Sequence, residues 1–261
     1  MIRLDEFLCE NKTFDSRTKA KQAIERGEIL VDGKVVYKPA TLVDKDKISF
    51  EYKASKIFVS LGGYKLDKAL EDFNFKVNNL TCADVGCSTG GFTDCLLQRG
   101  AKKVFCVDIN DQLLHEKLLN DKRVFFILEN AKNLDSSKVD RVDLIVADLS
   151  FISATSVLKV FYDLLEQSGH VILLIKPQFE NDKKIKFKNG IIKDKKVRED
   201  ACVKVISHAL DCGFNFQNIT TAPINKNKNV EFLVLLSKGL EKNILNNLEI
   251  FNIIHKITNN C

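Results

Sequence analysis

Two lysines and two acidic residues are the side chains of this 261-residue chain best suited to chemistry: Lys65, Asp148, Lys176 and Glu231. We expect each at a strand end, or at a turn beside a strand, of one α/β domain. An amine that can lose its proton, held in place by carboxylates, can accept the proton of a weakly acidic hydroxyl. The four residues therefore suit activation of a hydroxyl group beside a cofactor.

The cofactor signal is a run in which an apolar strand turns through a glycine-rich loop into a helix. It reads Cys82-Ala83-Asp84-Val85-Gly86-Cys87-Ser88-Thr89-Gly90-Gly91-Phe92, and the next strand ends in Asp108. Asp84 can orient the loop, and Asp108 can accept the hydroxyls of an adenosine ribose or simply be a solvated strand end. A dehydrogenase needs the spacing GxGxxG, which is absent. The pattern favours S-adenosylmethionine over a dinucleotide, although plain tight turns share glycine-rich loops.

A second pair of motifs follows the next strands of the predicted sheet. Asp148-Leu149-Ser150-Phe151 stands where many methyltransferases carry a substrate-side motif. Base-amino methyltransferases need an Asp/Asn-Pro-Pro-aromatic loop there, C5-cytosine enzymes need a cysteine nucleophile, and neither pattern occurs. Lys176-Pro177-Gln178-Phe179-Glu180 ends the following strand, and Pro177 fixes a turn that would present Lys176 to the site. The alternative is that Lys176 is an ordinary surface lysine.

Residues 1–55 are expected to form a small first domain of helices and short strands. Apolar spacing indicates short amphipathic helices around Ile2–Leu8 and Ala20–Ile24. Two strands about Asp32-Gly33 predict a hairpin, and Asp46–Phe50 predicts a further strand. A linker at 56–64, a second domain at 65–239 and a C-terminal tail at 240–261 complete the expected organisation.

Beyond the linker, strand-like apolar runs alternate with helical patterns. Strands are predicted near 82–85, 104–108, 124–128, 142–147, 170–175, 217–221 and 230–236, and helices at 91–99, 111–119, 153–166 and 197–212. Such alternation is typical of a doubly wound, Rossmann-like α/β fold whose strand ends build the site. In the tail, Ile244, Leu248, Phe251 and Ile254 form a stripe that we expect to pack onto this domain as a helix rather than lie on a membrane.

Composition excludes several classes of protein. Hydrophobic residues make up 45% of the chain, enough for a packed core, and no apolar run approaches the ~20 residues of a membrane helix. The eight cysteines contain no CxxC pair, so we expect reduced thiols, no metal site and a cytoplasmic protein. The net charge is +5, but residues 183–198 concentrate seven lysines and Arg198 against Asp194 alone, a field that attracts polyanions.

The motifs together resemble a known family. Ile2-Arg3-Leu4-Asp5, Ser16-Arg17-Thr18-Lys19-Ala20 and Val31-Asp32-Gly33-Lys34 resemble the S-four, or alpha-L, RNA-binding domain, and the remainder looks like an FtsJ-type ribose methyltransferase. Joined in this order, with Val59 to Leu66 at the junction, the chain is similar to the TlyA family of ribosomal RNA 2'-O-methyltransferases, also called haemolysins. The resemblance covers the chain to about Gly239.

The resemblance implies S-adenosylmethionine as cofactor and ribosomal RNA as substrate, with a cytidine of the large subunit favoured because no extension precedes Ile2. It implies a catalytic set of Lys65, Asp148, Lys176 and Glu231, and it adds Asn130 and Asp148 to the cofactor-binding residues. We expect a monomer that contacts RNA through Arg3, Arg17, Lys19, Lys21, Lys34, Lys183, Lys184 and Lys193. Any one of these could instead belong to a solvated helix face. Two competing functions are a non-catalytic RNA-binding or ribosome-assembly factor and a membrane-active haemolysin.

The chain departs from the family pattern at three places. The family usually has arginine where this chain has Leu61, and Asp194-Lys195 replaces a usual Asp-Pro. The adenine-side segment Glu129–Asn133 is shorter than usual. The change at Leu61 affects an expected RNA or interdomain contact, and the shorter segment affects the position expected for Asn130.

Overall fold

A computed structural model describes residues 1–25, 27–52, 58–180, 190–223, 228–239 and 245–261. The chain divides into two compact units, Met1–Ile57 and Phe58–Cys261. The second unit therefore begins within the segment expected to be a linker.

The first unit is a small α+β domain. Its elements are β1 (Ile2–Arg3), α1 (Leu4–Glu10), α2 (Arg17–Glu25), β2 (Ile29–Val31), β3 (Lys34–Val35), β4 (Leu42–Val43) and β5 (Phe50–Tyr52). Strands β1 and β4 pair, and β2 lies between β3 and β5. Apolar residues of both helices, including Leu4, Leu8 and Ile24, form the core with Ile29. The strand expected at 46–50 begins later, because Lys47 and Ile48 donate backbone hydrogen bonds to Asp44 in a turn.

The second unit contains one sheet flanked by helices. Its strands are β6 (Thr81–Val85), β7 (Lys103–Asp108), β8 (Val124–Leu128), β9 (Val142–Ala147), β10 (Leu165–Ile175), β11 (Asn215–Thr221) and β12 (Phe232–Ser237). Its helices are α3 (Leu61–Asp72), α4 (Gly91–Gln98), α5 (Glu116–Leu119), α6 (Leu158–Leu164), α7 (Pro177–Glu180), α8 (Lys195–Asp211) and α9 (Asn247–Asn259). Short 3-10 turns cover Ala131–Asn133 and Ala154–Ser156.

The strand order is β11-β12-β10-β9-β6-β7-β8, and β12 runs antiparallel to both of its neighbours. The other neighbouring pairs are parallel. Central strands are continuous apolar runs because both faces of the sheet are covered; Leu144–Ala147 of β9, for example, are fully buried. This architecture confirms the expected Rossmann-like fold. It also gathers the carboxyl ends of β6, β7, β9 and β10 at one edge.

Helix α3 is a 12-residue element that the sequence did not predict. Its buried residues Gly63, Leu66, Ala69 and Leu70 follow helical spacing, but Gly62-Gly63 lies in the expected linker, where paired glycines indicate a turn. The glycines serve close packing instead. A Cβ on Gly63 would lie 2.3 Å from the ring of Phe58. Lys65 therefore lies on a helix, and its expected position at a strand end or turn is wrong.

The helix expected at 111–119 is shorter than predicted, because α5 covers only its last turn. The side chains of Asp108 and Asn110 accept hydrogen bonds from the backbone of Asn110 and Gln112, respectively. Such local bonds compete with a helix. The helix expected at 153–166 is also shorter than predicted. Helix α6 ends at Leu164, and β10 begins at the next residue.

The C-terminal tail packs onto the second unit as a helix, as expected, but its buried face shares only Ile254 with the expected stripe among the described residues. Ile250 and Ile254 of α9 are buried in the main core, whereas Leu248 is 69% exposed and Phe251 38% exposed. Ile244 lies outside the described residues. A capping box formed by Asn246 and Glu249 begins the helix, and the stripe that includes Ile250 and Ile254 faces the sheet.

Candidate active site

A glycine-rich loop joins β6 to α4. Gly86 and Gly90 have φ angles of +80° and +88°, which favour glycine. A Cβ on Gly86 would lie 3.0 Å from the backbone oxygen of Asp148, and one on Gly90 would lie 2.1 Å from Leu118. The loop is fixed because the Gly86 amide donates to the Val107 carbonyl at 2.8 Å. A side chain is therefore excluded at Gly86, where the loop meets the end of β9, and at Gly90, where the loop contacts α5.

Asp84 is a buried carboxylate beneath this loop. Its Oδ2 accepts hydrogen bonds from the Thr93 amide at 2.8 Å and the Thr93 hydroxyl at 2.6 Å, in the first turn of α4. Its Oδ1 is buried and accepts no hydrogen bond from the described residues. Burial raises the pKa of Asp84 to about 7, against the opposing effect of the Thr93 bonds. A buried acceptor at the cleft without a partner suits a cationic donor from a ligand.

Asp108 ends β7 and holds the loop from the other side. Its Oδ2 accepts the Ser88 amide at 2.8 Å, and Ser88 has a φ of +47°. The carboxylate is only partly buried, so it remains accessible to a ligand hydroxyl. Asn130 follows β8 near Asp108, because the amide of the preceding residue, Glu129, donates to the Asp108 carbonyl at 3.0 Å. It is exposed, and its side chain accepts the Lys132 amide at the start of a 3-10 turn.

A cleft opens above the loop at the carboxyl ends of the strands. Four segments line it: the start of α3, the glycine-rich loop, and the residues that follow β9 and β10. The lining residues are Ser60, Gly62, Asp84, Gly86, Cys87, Ser88, Thr89, Gly91, Phe92, Asp148, Ser150 and Lys176. The sequence had indicated neither Ser60 nor Gly62, because their placement depends on the close packing of α3 against α4. A Cβ on Gly91 would lie 2.2 Å from the Ser60 hydroxyl.

The four residues first singled out in the sequence form one cluster, of which Asp148 and Lys176 line this cleft. Lys176 Nζ lies 2.5 Å from Asp148 Oδ1, and Lys65 Nζ lies 2.6 Å from Glu231 Oε2. Lys65 is also 3.8 Å from Asp148 Oδ2, so Asp148 stands between the two amines. Their side chains are 11–22% exposed. This partial burial strengthens the pairs while leaving the amine of Lys176 at the cleft wall.

Ser150 is a further partner of Lys176 that the sequence did not identify. Lys176 Nζ donates to Ser150 Oγ at 2.7 Å, and Ser150 itself is exposed at the cleft. The lysine amine is therefore held by one carboxylate and one hydroxyl. Asp148 and Ser150 occupy two sides of the amine, so a third group can approach it only from the remaining side.

An exposed aromatic pair borders the same residues. Phe151 is 88% exposed and has a φ of +67°, a strained angle for a bulky residue. Its ring lies 5.3 Å from that of Phe179, which in turn is 5.9 Å from Lys176 Nζ. A large apolar side chain held in solvent beside polar groups suits stacking with a planar ligand. Sequence alone offered only the aromatic residue types.

The first unit places two of its predicted RNA-binding arginines together. Arg3 donates two hydrogen bonds to Asp5, at 3.0 and 2.9 Å, and Arg17 contacts the same carboxylate at 3.3 Å. Both arginines remain about half exposed, whereas the Asp5 side chain is 5% exposed. Lys19 pairs with Asp15 at 2.7 Å. Lys21 and Lys34 are exposed.

The basic segment at 183–198 is only partly described. Lys183 and Lys184 lie outside the described residues, and Lys193 is exposed. Arg198 is not a surface charge: it is 8% exposed and donates to the carbonyls of Ile192 and Cys261. Its role is structural, which corrects its inclusion among charges that attract polyanions.

Comparison with known protein families matches both units. A family model described as FtsJ-like methyltransferase matches residues 58–238, and one described as S4 domain matches residues 2–48. Within the described residues no helix is long and apolar enough to cross a membrane.

Individual relatives match over most of the chain. Hemolysin A of Brachyspira hyodysenteriae is 41% identical over 237 residues, which cover 89% of this chain and 98% of that protein. The 16S/23S rRNA (cytidine-2'-O)-methyltransferase TlyA of Mycobacterium tuberculosis is 35% identical over 253 residues, which cover 92% and 94%. A solved structure of a Streptococcus thermophilus protein that carries a hemolysin name has 31% identity and a TM-score of 0.72, covering 99% of this chain and 94% of that one.

Proposed function

The chain belongs to the FtsJ-like methyltransferase family, and we propose that it methylates the ribose 2'-hydroxyl of a cytidine in ribosomal RNA, with S-adenosylmethionine as methyl donor. The observation that carries the proposal is the amine of Lys176, fixed by Asp148 and Ser150 at the wall of the cleft. A 2'-hydroxyl is a poor nucleophile until a base takes its proton.

The residues of the cleft fit the cofactor. The unpaired Oδ1 of Asp84 offers an acceptor for the cofactor's amino group, and the accessible carboxylate of Asp108 offers acceptors for its ribose hydroxyls. Gly86 and Gly91 leave the backbone open where side chains would clash. When bound, S-adenosylmethionine supplies an electrophilic methyl group on a positively charged sulfur. Asn130, exposed beyond the end of β8, and Gly90 of the loop remain predicted cofactor-binding residues.

Lys176 acts as the proton acceptor in this proposal. Only its neutral amine can take the proton of the hydroxyl, and Asp148 then stabilises the ammonium ion that forms. Lys65 pairs closely with Glu231. Asp148 Oδ1 is therefore left to pair with Lys176. The ion pair with Asp148 and the hydrogen bond to Ser150 hold the amine at the cleft wall, and such positioning supplies much of the rate.

RNA recognition is shared between the units. In the first unit, Asp5 orients Arg3 and Arg17 with their remaining donors exposed, an arrangement suited to phosphates. In the second unit, Phe151 offers a stacking surface for a base beside the site, as proteins that bind unpaired RNA commonly do. With ribosomal RNA as its substrate, the protein would act in the cytoplasm.

The test is methyl transfer from labelled S-adenosylmethionine to isolated small and large ribosomal subunits, with ribose methylation mapped by mass spectrometry. The proposal expects labelled 2'-O-methylcytidine with the native protein and none with Lys176→Ala. Tight RNA binding without transfer would instead support a ribosome-assembly factor. Lysis of lipid vesicles by both the native protein and Lys176→Ala, without methyl transfer, would support the haemolysin alternative.

A further inference from the structure

Glu180, the last residue of α7, is a buried carboxylate beside the proposed site. It is 4% exposed, and its two oxygens accept hydrogen bonds from the Ser153 hydroxyl at 2.5 Å and the Ala154 amide at 2.7 Å. A carboxylate is costly to bury, and these bonds offset the cost. The mechanism proposed above does not use Glu180.

The partners of Glu180 belong to the other loop of the site. Ser153 and Ala154 begin the 3-10 turn that follows Asp148–Phe151, whereas Glu180 ends the segment that begins at Lys176. The two loops also meet through Lys176 with Asp148 and through Phe179 with Phe151. The Glu180 carboxylate adds two hydrogen bonds between the loops, one from the Ser153 hydroxyl and one from the Ala154 amide. The first is partly buried and the second buried, so water competes for them less than it does at the exposed ring contact.

The backbone of Glu180 is anchored independently of its side chain. Lys204 of α8 donates to the Glu180 carbonyl at 3.1 Å. A change of the side chain therefore removes the bonds to Ser153 and Ala154 while this anchor of α7 persists. The carboxylate can be tested separately from the helix that carries it.

We propose that Glu180 is a positioning residue for methyl transfer: it ties the loop of Asp148 and Phe151 to the loop of Lys176 and Phe179. The inference rests on the proposed function, because the geometry that it preserves is that of the proposed proton acceptor. A displacement of about 1 Å at such a site can lower the rate about 100-fold without loss of binding.

The kinetic test compares Glu180→Ala with Glu180→Gln. The alanine variant should lose about 10-fold to 100-fold in kcat, with the KM for S-adenosylmethionine unchanged. The glutamine variant should retain most activity, because its amide oxygen can accept from Ala154 while its NH2 group donates to Ser153. Ser153→Ala removes one of the two bonds from the opposite loop and should lower kcat in the same direction, even if Glu180→Ala does not fold.

Glu199→Ala is a matched control. Glu199 is also a buried carboxylate, 3% exposed, but its oxygens pair with Lys196 and His255 rather than with either loop. Its loss should destabilise the fold without lowering kcat at a temperature where the variant is folded. If Glu180→Ala and Ser153→Ala keep native kcat, as Glu199→Ala does, the positioning role is wrong.

A second readout needs neither cofactor nor RNA. The chain has no tryptophan, so Phe151→Trp introduces a single tryptophan reporter into the loop, and its fluorescence is excited selectively over that of the tyrosines. Adding Glu180→Ala should lower the anisotropy of this reporter, whereas adding Glu199→Ala or Glu180→Gln should not. Unchanged anisotropy with Glu180→Ala would overturn the inference. If the native protein transfers no methyl group to any RNA but the anisotropy falls as expected, the proposed function fails and the tie between the loops stands.

Discussion

The carboxylate of Asp148 lies 2.5 Å from the amine of Lys176, although the two residues are 28 positions apart. The contact follows from topology, because the residues end the adjacent parallel strands β9 and β10. The register pairs Ala147 with Leu173, so the chain of β10 extends further past the sheet edge than that of β9. Lys176 is therefore carried over the end of β9, where its amine meets Asp148 at the cleft.

The first prediction concerns Lys176 itself. Lys176→Ala should keep the fold and cofactor binding but lose methyl transfer by at least the ~100-fold typical of removing a general base. Lys176→Arg should fail almost as badly, because a guanidinium does not give up its proton in a protein. Single-turnover transfer and calorimetric cofactor binding measure the two properties separately. An active arginine variant would leave Lys176 as an electrostatic clamp and make Asp148 the next candidate for the proton.

The second prediction is a pH dependence set by Asp84. Its folded pKa of about 7 is above the ordinary 3.8, so the folded protein binds a proton between these pH values that the unfolded chain has released. The free energy of unfolding should therefore fall by roughly 4 kcal/mol in total as pH rises from about 4 to 7, because the contribution of protonated Asp84 is lost. Without cofactor, Asp84→Asn should be more stable than the native protein at pH 8, as measured by urea unfolding.

The same group should link cofactor binding to pH. The charged carboxylate is the form that attracts a cationic amino group, so affinity for S-adenosylmethionine should fall as pH drops below about 7. Asp84→Asn should bind weakly at every pH, and its stability should change less between pH 4 and pH 7. A native-like pH profile of stability in this variant would contradict the raised pKa.

The third prediction tests the ribose side of the cofactor cleft. Asp108→Ala removes a charged acceptor and should weaken binding of S-adenosylmethionine by about 1.5–3 kcal/mol. It also removes the bond to the Ser88 amide, so Asp108→Asn is the companion variant that can keep this bond. Isothermal calorimetry measures both. Native affinity in both variants would remove Asp108 from the cofactor site.

The sequence was most informative where structure depends on local chemistry. The glycine-rich loop, the acids that end β6 and β7 and the alternation of strands and helices were all predictable, because apolar runs and turn residues determine them locally. Lys65 was misplaced because Gly62-Gly63 indicates a turn, whereas close packing against Phe58 and Gly91 makes these residues part of a helix. The roles of Phe151 and Phe179 depend on exposure and ring distance, which no local pattern encodes.

The fourth prediction concerns the exposed ring of Phe151. Phe151→Ala should weaken productive RNA binding by about 1–3 kcal/mol, the usual contribution of one base stacked on an aromatic ring. Phe151→Gly should lose RNA binding equally yet unfold no more easily than the native protein, because glycine tolerates the φ of +67°. Phe125→Ala is the control, since Phe125 is 45% exposed on the distant edge strand β8. Equal RNA affinity in all three variants would remove Phe151 from the substrate site.

The last prediction separates the lysines of the first unit that contact RNA from those that only face solvent. Lys19 is paired with Asp15, whereas Lys21 forms no ion pair with the residues that the structure describes, so Lys21→Gln should weaken RNA binding more than Lys19→Gln. Each neutralised phosphate contact should flatten the slope of log affinity against log salt by about 0.7–0.9. Lys122→Gln, an exposed lysine before β8 at the opposite end of the sheet from the cleft, is the charge-matched control. If Lys19→Gln and Lys21→Gln keep both the affinity and the slope of Lys122→Gln, the two lysines form a solvated face, and the RNA contact of this unit rests on Arg3 and Arg17.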